Sequence, residues 1–391
     1  MAKVGLREFT SLARVLADGR LLRYGKGARG ATAAFETAFA AQMGCAHVLT
    51  VNSGTSALIA ALAAAGIGPG DEVLVPAYTW VSTAIAPLAV GAVPVLVDID
   101  ESLTIDPAAI EARITPWTRA IMPVHMLNLP CDMAAVMDIA RRHGLVVVED
   151  ACQAIGVTYR GRPVGTIGDL GAMSFNHHKN MTAGEGGAVL TDDERLFVRA
   201  QMYHDPGNFI RGLKSSEEPV FSAMNLRVSE LTGAMLNAQL PRLAPLMKRL
   251  RRRHGLMARA LEGAPGCRIS PHNDADAAVG LTVIFDRAED ARAFGDIAGV
   301  ERLLDTDRHV FANWEAVLSK RAHHPRMNPY AWANREIEHR VEDHARTLDI
   351  LGRTCRVALG AQYPLPVMAY RARVLRRALA RRAPGYHEAV A

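Results

Sequence analysis

At 391 residues the chain is too long for one small core and suits a large α/β domain with a smaller second one, at roughly 100–200 residues per domain. Its composition, 49% hydrophobic and 22% charged, is ordinary for a globular protein and argues against disorder or low complexity. The net charge of +5 is modest; its two basic clusters, Lys248 to Arg253 and Arg371 to Arg382, read as solvated helix faces, so nucleic acid is not an expected partner.

Residues 1–30 read as an N-terminal segment, and a strand–helix alternation follows. "HVLTV" (His47 to Val51) passes through "NSGTS" into an Ala/Leu-rich helix that stops at Gly66. "DEVLVP" precedes a helical "VSTAIAPLAVG", "VPVLVDID" precedes "DPAAIEARI", "RAIMPVHM" precedes "CDMAAVMDIARRHG", and "LVVVED" comes next. "LGAMSF" and "GGAVLT" bring the total to about seven strands before the helical "ERLFVRAQMYH". Apolar runs without polar alternation are expected of strands buried on both faces, and the intervening helices predict a parallel sheet. After a polar, glycine-containing stretch from Asn208 to Glu218, a helical region spans Val228 to Met257. "LTVIFD" reads as a strand and "ARTLDILGRTCRVAL" as a helix running into a strand. The expected division is a large domain over 31–240 and a smaller α+β domain over 241–391.

Five cysteines without a Cys-x-x-Cys spacing point to neither a disulfide framework nor a zinc site, which fits a reducing cytoplasm. Charges interrupt the apolar positions from Met1 to Gly25, unlike a signal peptide. No window approaches ~18 uncharged apolar residues, so no membrane span is expected.

In open parallel sheets ligands bind beyond the carboxyl ends of the strands, where the chemistry-bearing residues of this chain gather. "VNSGTS" places Thr55 and Ser56 at a helix N-terminus, a phosphate cradle or an ordinary cap and turn. "VVVEDACQA" ends a buried strand in Glu149 and Asp150, and a carboxylate there needs compensation, from a Mg²⁺ ion or a protonated ring nitrogen. "SFNHHKNMTAGEGG" sets Lys179 between a strand and a glycine-rich turn; alone it is a surface lysine, but a partly desolvated amine there serves as a nucleophile. The pairs His177/His178 and His323/His324 read as loop neighbours facing different directions, because adjacent residues rarely converge on one metal.

Taken in order, Thr55, Ser56, Trp80, Asp150, Gln153, Ser174 and Lys179 make a set, and the stretches "VNSGTSAL", "GDEVLVPAYTWVST", "GAVPVLVDID", "VVEDACQAIG", "MSFNHHKNMTAGEGGAVLTDD" and "NLRVSELTGAMLNAQL" extend it. From about Leu22 to about Gln239 the chain resembles the pyridoxal-phosphate (PLP) sugar aminotransferases of the DegT/DnrJ/StrS family, fold type I. The resemblance implies a large domain with a mostly parallel seven-stranded sheet plus a smaller α+β domain. It implies that Lys179 holds PLP as a Schiff base and moves the proton, and that Asp150 keeps the ring nitrogen protonated. It implies that Trp80 stacks on the ring, that Gln153 meets its phenolic oxygen, and that Thr55, Ser56 and Ser174 bind the phosphate. Asn225 reaches the phosphate of a neighbouring subunit, which implies a homodimer with shared sites. No metal is implied.

The resemblance further implies transfer of an amino group from glutamate or glutamine to a keto-sugar or keto-cyclitol; relatives with histidine in place of the lysine are dehydratases, and this chain keeps Lys179. The alternative is elimination, cyclisation or oxidation on the same fold. Two departures bear on substrate. Asn128, Leu129 and Pro130 replace the family's glycine and polar residue after "VHM", beside His125, which is offered as a substrate contact. From Asp305 to Arg335 the wording is atypical, with Arg308 and His309 offered as substrate contacts, and Trp314, Tyr330 and Trp332 read as core.

Overall fold

The computed structural model describes residues 4–24, 30–207, 219–333 and 335–380. Helices α1 (Leu6–Asp18) and α2 (Ala31–Met43) precede β1 (His47–Val51), α3 (Gly54–Ala64), β2 (Glu72–Pro76), α4 (Ser82–Ala89), β3 (Val93–Val97), α5 (Pro107–Arg113) and β4 (Thr118–Ile121). Then come α6 (Met133–His143), β5 (Val146–Asp150), a short hairpin of β6 (Thr158–Tyr159) and β7 (Arg162–Pro163), β8 (Leu170–Ser174), β9 (Gly187–Thr191) and α7 (Glu194–His204). The stretch expected to be polar and irregular, 208–218, lies outside the described residues.

The seven expected strands form one sheet in the order β1-β9-β8-β5-β4-β2-β3. It is parallel except at β9, which runs antiparallel to both β1 and β8. Successive residues feed opposite faces: Leu74, Val147, Met173 and Leu190 join one core, while Val73, Val75, Val148, Ala172 and Val189 join the other. Both faces are therefore dry, which is why these strands lack polar alternation. Helix starts are fixed locally: Ser53, Asp106, Asp132 and Asp193 each cap a helix by accepting a backbone N–H of its first turn.

Beyond the helices Glu230–Gln239 and Leu243–Leu261, a second sheet of four antiparallel strands, β10 (Cys267–Ile269), β11 (Thr282–Phe285), β12 (Val300–Arg302) and β13 (Thr354–Val357), runs in the order β10-β11-β13-β12. It shares a core with the helices Ala288–Gly295 and Leu365–Ala380 through Phe285, Phe294, Met368 and Leu375. Not all of 241–391 belongs to this smaller unit. Phe311, Trp314 and Val317 are buried in the core of the large sheet, and Phe311 N–H donates to the Ala77 carbonyl at 3.2 Å.

Trp314 and Tyr330 are buried as expected, but Trp332 is 37% exposed, its indole N–H donating to the Arg326 carbonyl at 3.1 Å. Of the basic clusters, Arg253 turns inward and donates to the Tyr363 carbonyl at 2.5 Å rather than lying on a solvated face. Residues 381 and 382 of the second cluster fall outside the described residues. No helix among the described residues is long and apolar enough to cross a membrane.

Candidate active site

The carboxyl ends of β1, β2, β4, β5 and β8 open into a cavity of about 800 Å³. Thr55 enters it from the start of α3, Trp80 from the β2–α4 turn, Asp150 and Gln153 from the end of β5, and Ser174 and Lys179 from the end of β8. The opposite wall is Glu301, His309 and Arg356, carried back over the sheet by the C-terminal part of the chain. This is the crevice that open α/β sheets use for ligands.

Asp150 lies 4% exposed on the cavity floor. Its Oδ2 accepts the Thr83 hydroxyl at 2.8 Å and its Oδ1 the Cys152 N–H at 3.0 Å, and it forms no ion pair among the described residues. A carboxylate so placed, with its remaining edge toward a cavity, suits a cationic or protonated ligand atom.

Lys179 stands half-buried on a segment that is laced rather than loose. Its N–H donates to the Asn176 carbonyl at 3.0 Å, His177 N–H to Gly184 at 2.9 Å, and Ala183 N–H and the Thr182 hydroxyl to Phe175 at 3.0 and 3.1 Å. Positive φ at Gly184 (87°) and Gly186 (147°) lets the chain turn back into β9.

The hydroxyl-rich end forms where α3 begins. A Cβ at Gly54 would come within 2.8 Å of Ser174 Cβ and 2.9 Å of Cys152 Sγ, and one at Gly187 within 2.3 Å of the Ser53 carbonyl oxygen. Glycine thus lets the helix N-terminus close onto β8 and β9. Ser53, Thr55, Ser82 and Ser174 line this end, with Thr55 Oγ1 donating to Ser82 Oγ at 2.9 Å. First-turn amides together with four hydroxyls fit a phosphate. The Ser56 hydroxyl, expected at the phosphate, turns to Asn52 Oδ1 at 2.6 Å, while Ser53, whose Oγ accepts the Ser56 N–H at 3.0 Å and donates to Ser56 Oγ at 2.9 Å, lines the cavity. Carboxylate, amine, exposed indole and hydroxyl cradle on one cavity are the donor set that PLP requires.

Gln153 accepts the Leu127 N–H at 3.4 Å through Oε1, leaving its amide NH₂ free to donate into the cavity. His309 reaches the cavity too: its ring centroid is 5.2 Å from that of Trp80, and burial pulls its pKa below the usual imidazole value.

Two expected residues, His125 and Arg308, lie away from the cavity, and Asn225, expected at a partner's site, does not line that of its own chain. His125 is fully buried, with Nε2 2.8 Å from Glu149 Oε2, and Nδ1 accepting the Cys131 N–H at 3.1 Å. That amide fixes the ring proton on Nε2, so the imidazole serves the core rather than a substrate. Arg308 points outward, 67% exposed, with Nε 3.9 Å from Asp307. Asn225 is on the surface, its Oδ1 accepting the Arg227 N–H at 3.2 Å, one residue from Leu226, whose carbonyl accepts the Asn52 N–H at 2.9 Å.

Tyr78, Cys152, Glu301 and Arg356 line the cavity without having been expected there. The strand-end rule that selects Trp80 and Asp150 covers Tyr78 and Cys152 equally. Glu301 and Arg356 are register partners across β12 and β13, 3.7 Å apart at their charged ends, and only tertiary packing brings them to the site.

The chain matches the DegT/DnrJ/EryC1/StrS aminotransferase family over residues 5–301. It is 42% identical over 212 residues to a GDP-perosamine synthase from Caulobacter vibrioides, covering 54% of this chain and 56% of that protein. It is 40% identical over 268 residues to an L-glutamine:2-deoxy-scyllo-inosose aminotransferase from Streptoalloteichus tenebrarius, covering 66% and 63%. The chain therefore spans less than two thirds of the length of either relative. Its fold superposes on the crystal structure of 3-amino-5-hydroxybenzoic acid synthase with a TM-score of 0.78 at 29% identity, covering 97% of both chains.

Proposed function

The chain belongs to the DegT/DnrJ/EryC1/StrS aminotransferase family, and from that premise we propose that it is a PLP-dependent aminotransferase moving an amino group from glutamate or glutamine to a keto-sugar or keto-cyclitol. The observation that carries the reading is the convergence of Asp150 and Lys179 on one cavity whose far end is a hydroxyl-lined helix N-terminus. Relatives named for a nucleotide-linked sugar and for a cyclitol support the acceptor class.

Bound there, PLP supplies a ring that stabilises negative charge developing on the donor's α-carbon. Asp150, held from behind by Thr83 and Cys152, keeps a proton on the ring nitrogen. Trp80, with its indole open to the cavity, would cover one ring face, and the NH₂ of Gln153 would donate to the phenolic oxygen. Ser53, Thr55, Ser82, Ser174 and the first amides of α3 hold the phosphate. Lys179, on a well-tied segment, would hold the cofactor through its amine and would be the group that moves the proton to and from the donor's α-carbon. Glu301, Arg356 and His309 face the substrate end. The surface position of Asn225 supports a homodimer in which this side chain completes the partner's phosphate site. Five cysteines, none of them in a disulfide, support a cytoplasmic home.

The test is spectroscopic. The PLP-loaded protein should absorb in the visible and lose that band when glutamate or glutamine is added alone; a keto-cyclitol or keto-sugar should then restore it. If no amino acid discharges the band, transamination is the wrong reaction class.

A further inference from the structure

Behind Asp150 stand two buried hydroxyls, Thr83 and Thr79, at 0% and 1% exposure. Thr83 Oγ1 lies 2.8 Å from Asp150 Oδ2, 3.1 Å from the Trp80 carbonyl oxygen and 2.8 Å from Thr79 Oγ1. A hydroxyl has one proton to give. The carboxylate and the carbonyl can only accept, and the Trp80 carbonyl already receives the Thr83 N–H at 3.0 Å. The anion is the stronger acceptor, so the Thr83 proton goes to Asp150. Thr79 must then donate to Thr83. Proton counting thus gives one direction to the chain: Thr79 O–H to Thr83 O–H to the Asp150 carboxylate.

We propose that Thr83 is the positioning residue of Asp150: with Thr79 behind it, it holds the carboxylate aimed at the cavity, where Asp150 would meet the ring nitrogen. The proposal rests on the reading that PLP occupies this cavity. Without Thr83 the carboxylate would lose the hydroxyl on Oδ2 and keep the Cys152 N–H on Oδ1. The titratable side chains beside Asp150 are few. The Cys152 thiol is pushed well above its usual range, by burial first and then by the Asp150 charge, so it stays neutral, and Lys179 lies on the cavity side. The His125 ring is turned away to Glu149.

The position of Thr83 gives it a second connection. It lies in the first turn of α4, and its N–H bond to Trp80 ties the segment bearing the indole to the hydroxyl that grips Asp150. Thr79 N–H donates to the His309 carbonyl at 3.0 Å, so the relay ends on the segment that carries the opposite cavity wall. The two groups that would meet the ring, one at its face and one at its nitrogen, are thereby set by the same threonine.

The test loads wild type, Thr83→Val, Thr83→Ser and Thr79→Val with PLP and follows the visible band against pH, the PLP dissociation constant, kcat and KM, and thermal unfolding. Thr83→Val keeps the shape and removes the donor. It is expected to move the pH at which the band titrates by about one unit, a tenfold change equivalent to about 1.36 kcal/mol. It should lower kcat about tenfold with donor KM within about twofold, because the group it loses acts on the charge and not on donor binding. Thr83→Ser should restore both, and Thr79→Val should shift them the same way by less. A Thr83→Val protein that loses only thermal stability, with band and kcat unmoved, would overturn the proposal. So would a folded Thr83→Ser that fails as the valine does. If Thr83→Val does not fold, Thr79→Val decides, and an unmoved band there removes the relay. A wild type that takes up no PLP overturns this inference together with the reading it rests on; a wild type that does, with unaltered variants, overturns this inference alone.

Discussion

Trp80 and His309 meet with ring centroids 5.2 Å apart and planes tilted by 59°, joining the β2–α4 turn to the C-terminal part of the chain. The His309 ring lines the cavity and is fixed by its Nδ1–H, which donates to the Thr306 carbonyl at 3.0 Å. His309→Ala removes the prop beside the indole; an aromatic contact of about 1 kcal/mol makes the expected loss in PLP affinity about fivefold. His309→Phe should keep the affinity and raise only the acceptor KM. Equal PLP affinity in wild type and His309→Ala, by equilibrium dialysis, would show that the contact does not matter to the cofactor.

Lys179 is the side chain on which turnover should depend most. Lys179→Ala is expected to lose about a thousandfold in rate, the scale of a positioned acid–base group. Borohydride treatment of the loaded wild type should leave a cofactor-mass tag on the peptide containing Lys179, and none on the variant. A tag on another lysine would reassign the site.

The strands, Asp150 and Lys179 were legible because they are local patterns: dry β-branched runs, and a carboxylate and an amine just past the ends of two of them. What escaped depends on which way a side chain turns. Glu149 and Asp150 are adjacent on β5 and so point to opposite faces, one to His125 in the core and one to the cavity. Reading them as a pair hides that division, and it is also why His125 misled. Ser56 and Ser53 both sit at the start of α3, and only the cap geometry separates the one that faces the cavity. Glu301 and Arg356 arrive by long-range packing, for which the sequence carries no local mark.

Asn225 is surface-exposed and does not line the cavity of its own chain, as a residue serving a partner copy would be. Asn225→Ala should weaken PLP binding so that it is inactive at limiting PLP, and mixing it there with Lys179→Ala should recover activity that neither variant shows. Random exchange between two dimers makes half of the molecules hybrid with one intact site each, so recovery should approach about a quarter of wild type. No recovery after verified subunit exchange would count against shared sites.

Acid should destabilise the fold through His204, which is fully buried and whose pKa is lowered to about 4, by burial first. Its Nδ1–H donates to the Gln201 carbonyl at 2.7 Å, so Nε2 is the acceptor for the Tyr24 hydroxyl at 2.8 Å. Because the folded state favours the neutral ring, the unfolded chain binds the proton first as pH falls. The contribution is therefore present above about pH 6.5 and lost down to about pH 4, at up to about 1.4 kcal/mol per pH unit. The melting temperature of His204→Gln should fall less steeply than that of wild type across this window. Parallel curves would exclude His204 as a source of the acid sensitivity.

Glu149 is the fully buried anion on which the floor of the site rests. Burial pushes its pKa up, but the His125 bond and charge and the Gly168 and Gly165 N–H groups more than offset it, and the carboxyl is held below its usual range. Oε1 accepts the Ile167 and Gly168 N–H groups at 2.5 and 2.6 Å, and Oε2 accepts Gly165 N–H and His125 Nε2–H at 2.8 Å each. Every partner is a donor. Glu149→Gln, nearly the same shape, must set its NH₂ against two donors in either orientation, a mismatch expected to cost about 3–5 kcal/mol. The neighbouring His125 N–H donates to the Asp150 carbonyl at 3.0 Å, so the disturbance should reach the cofactor end and lower PLP occupancy as well. Urea unfolding of the apo-protein measures the first effect and absorbance of the loaded protein the second. A variant within about 1 kcal/mol of wild type would mean that the buried charge is not what the four donors require.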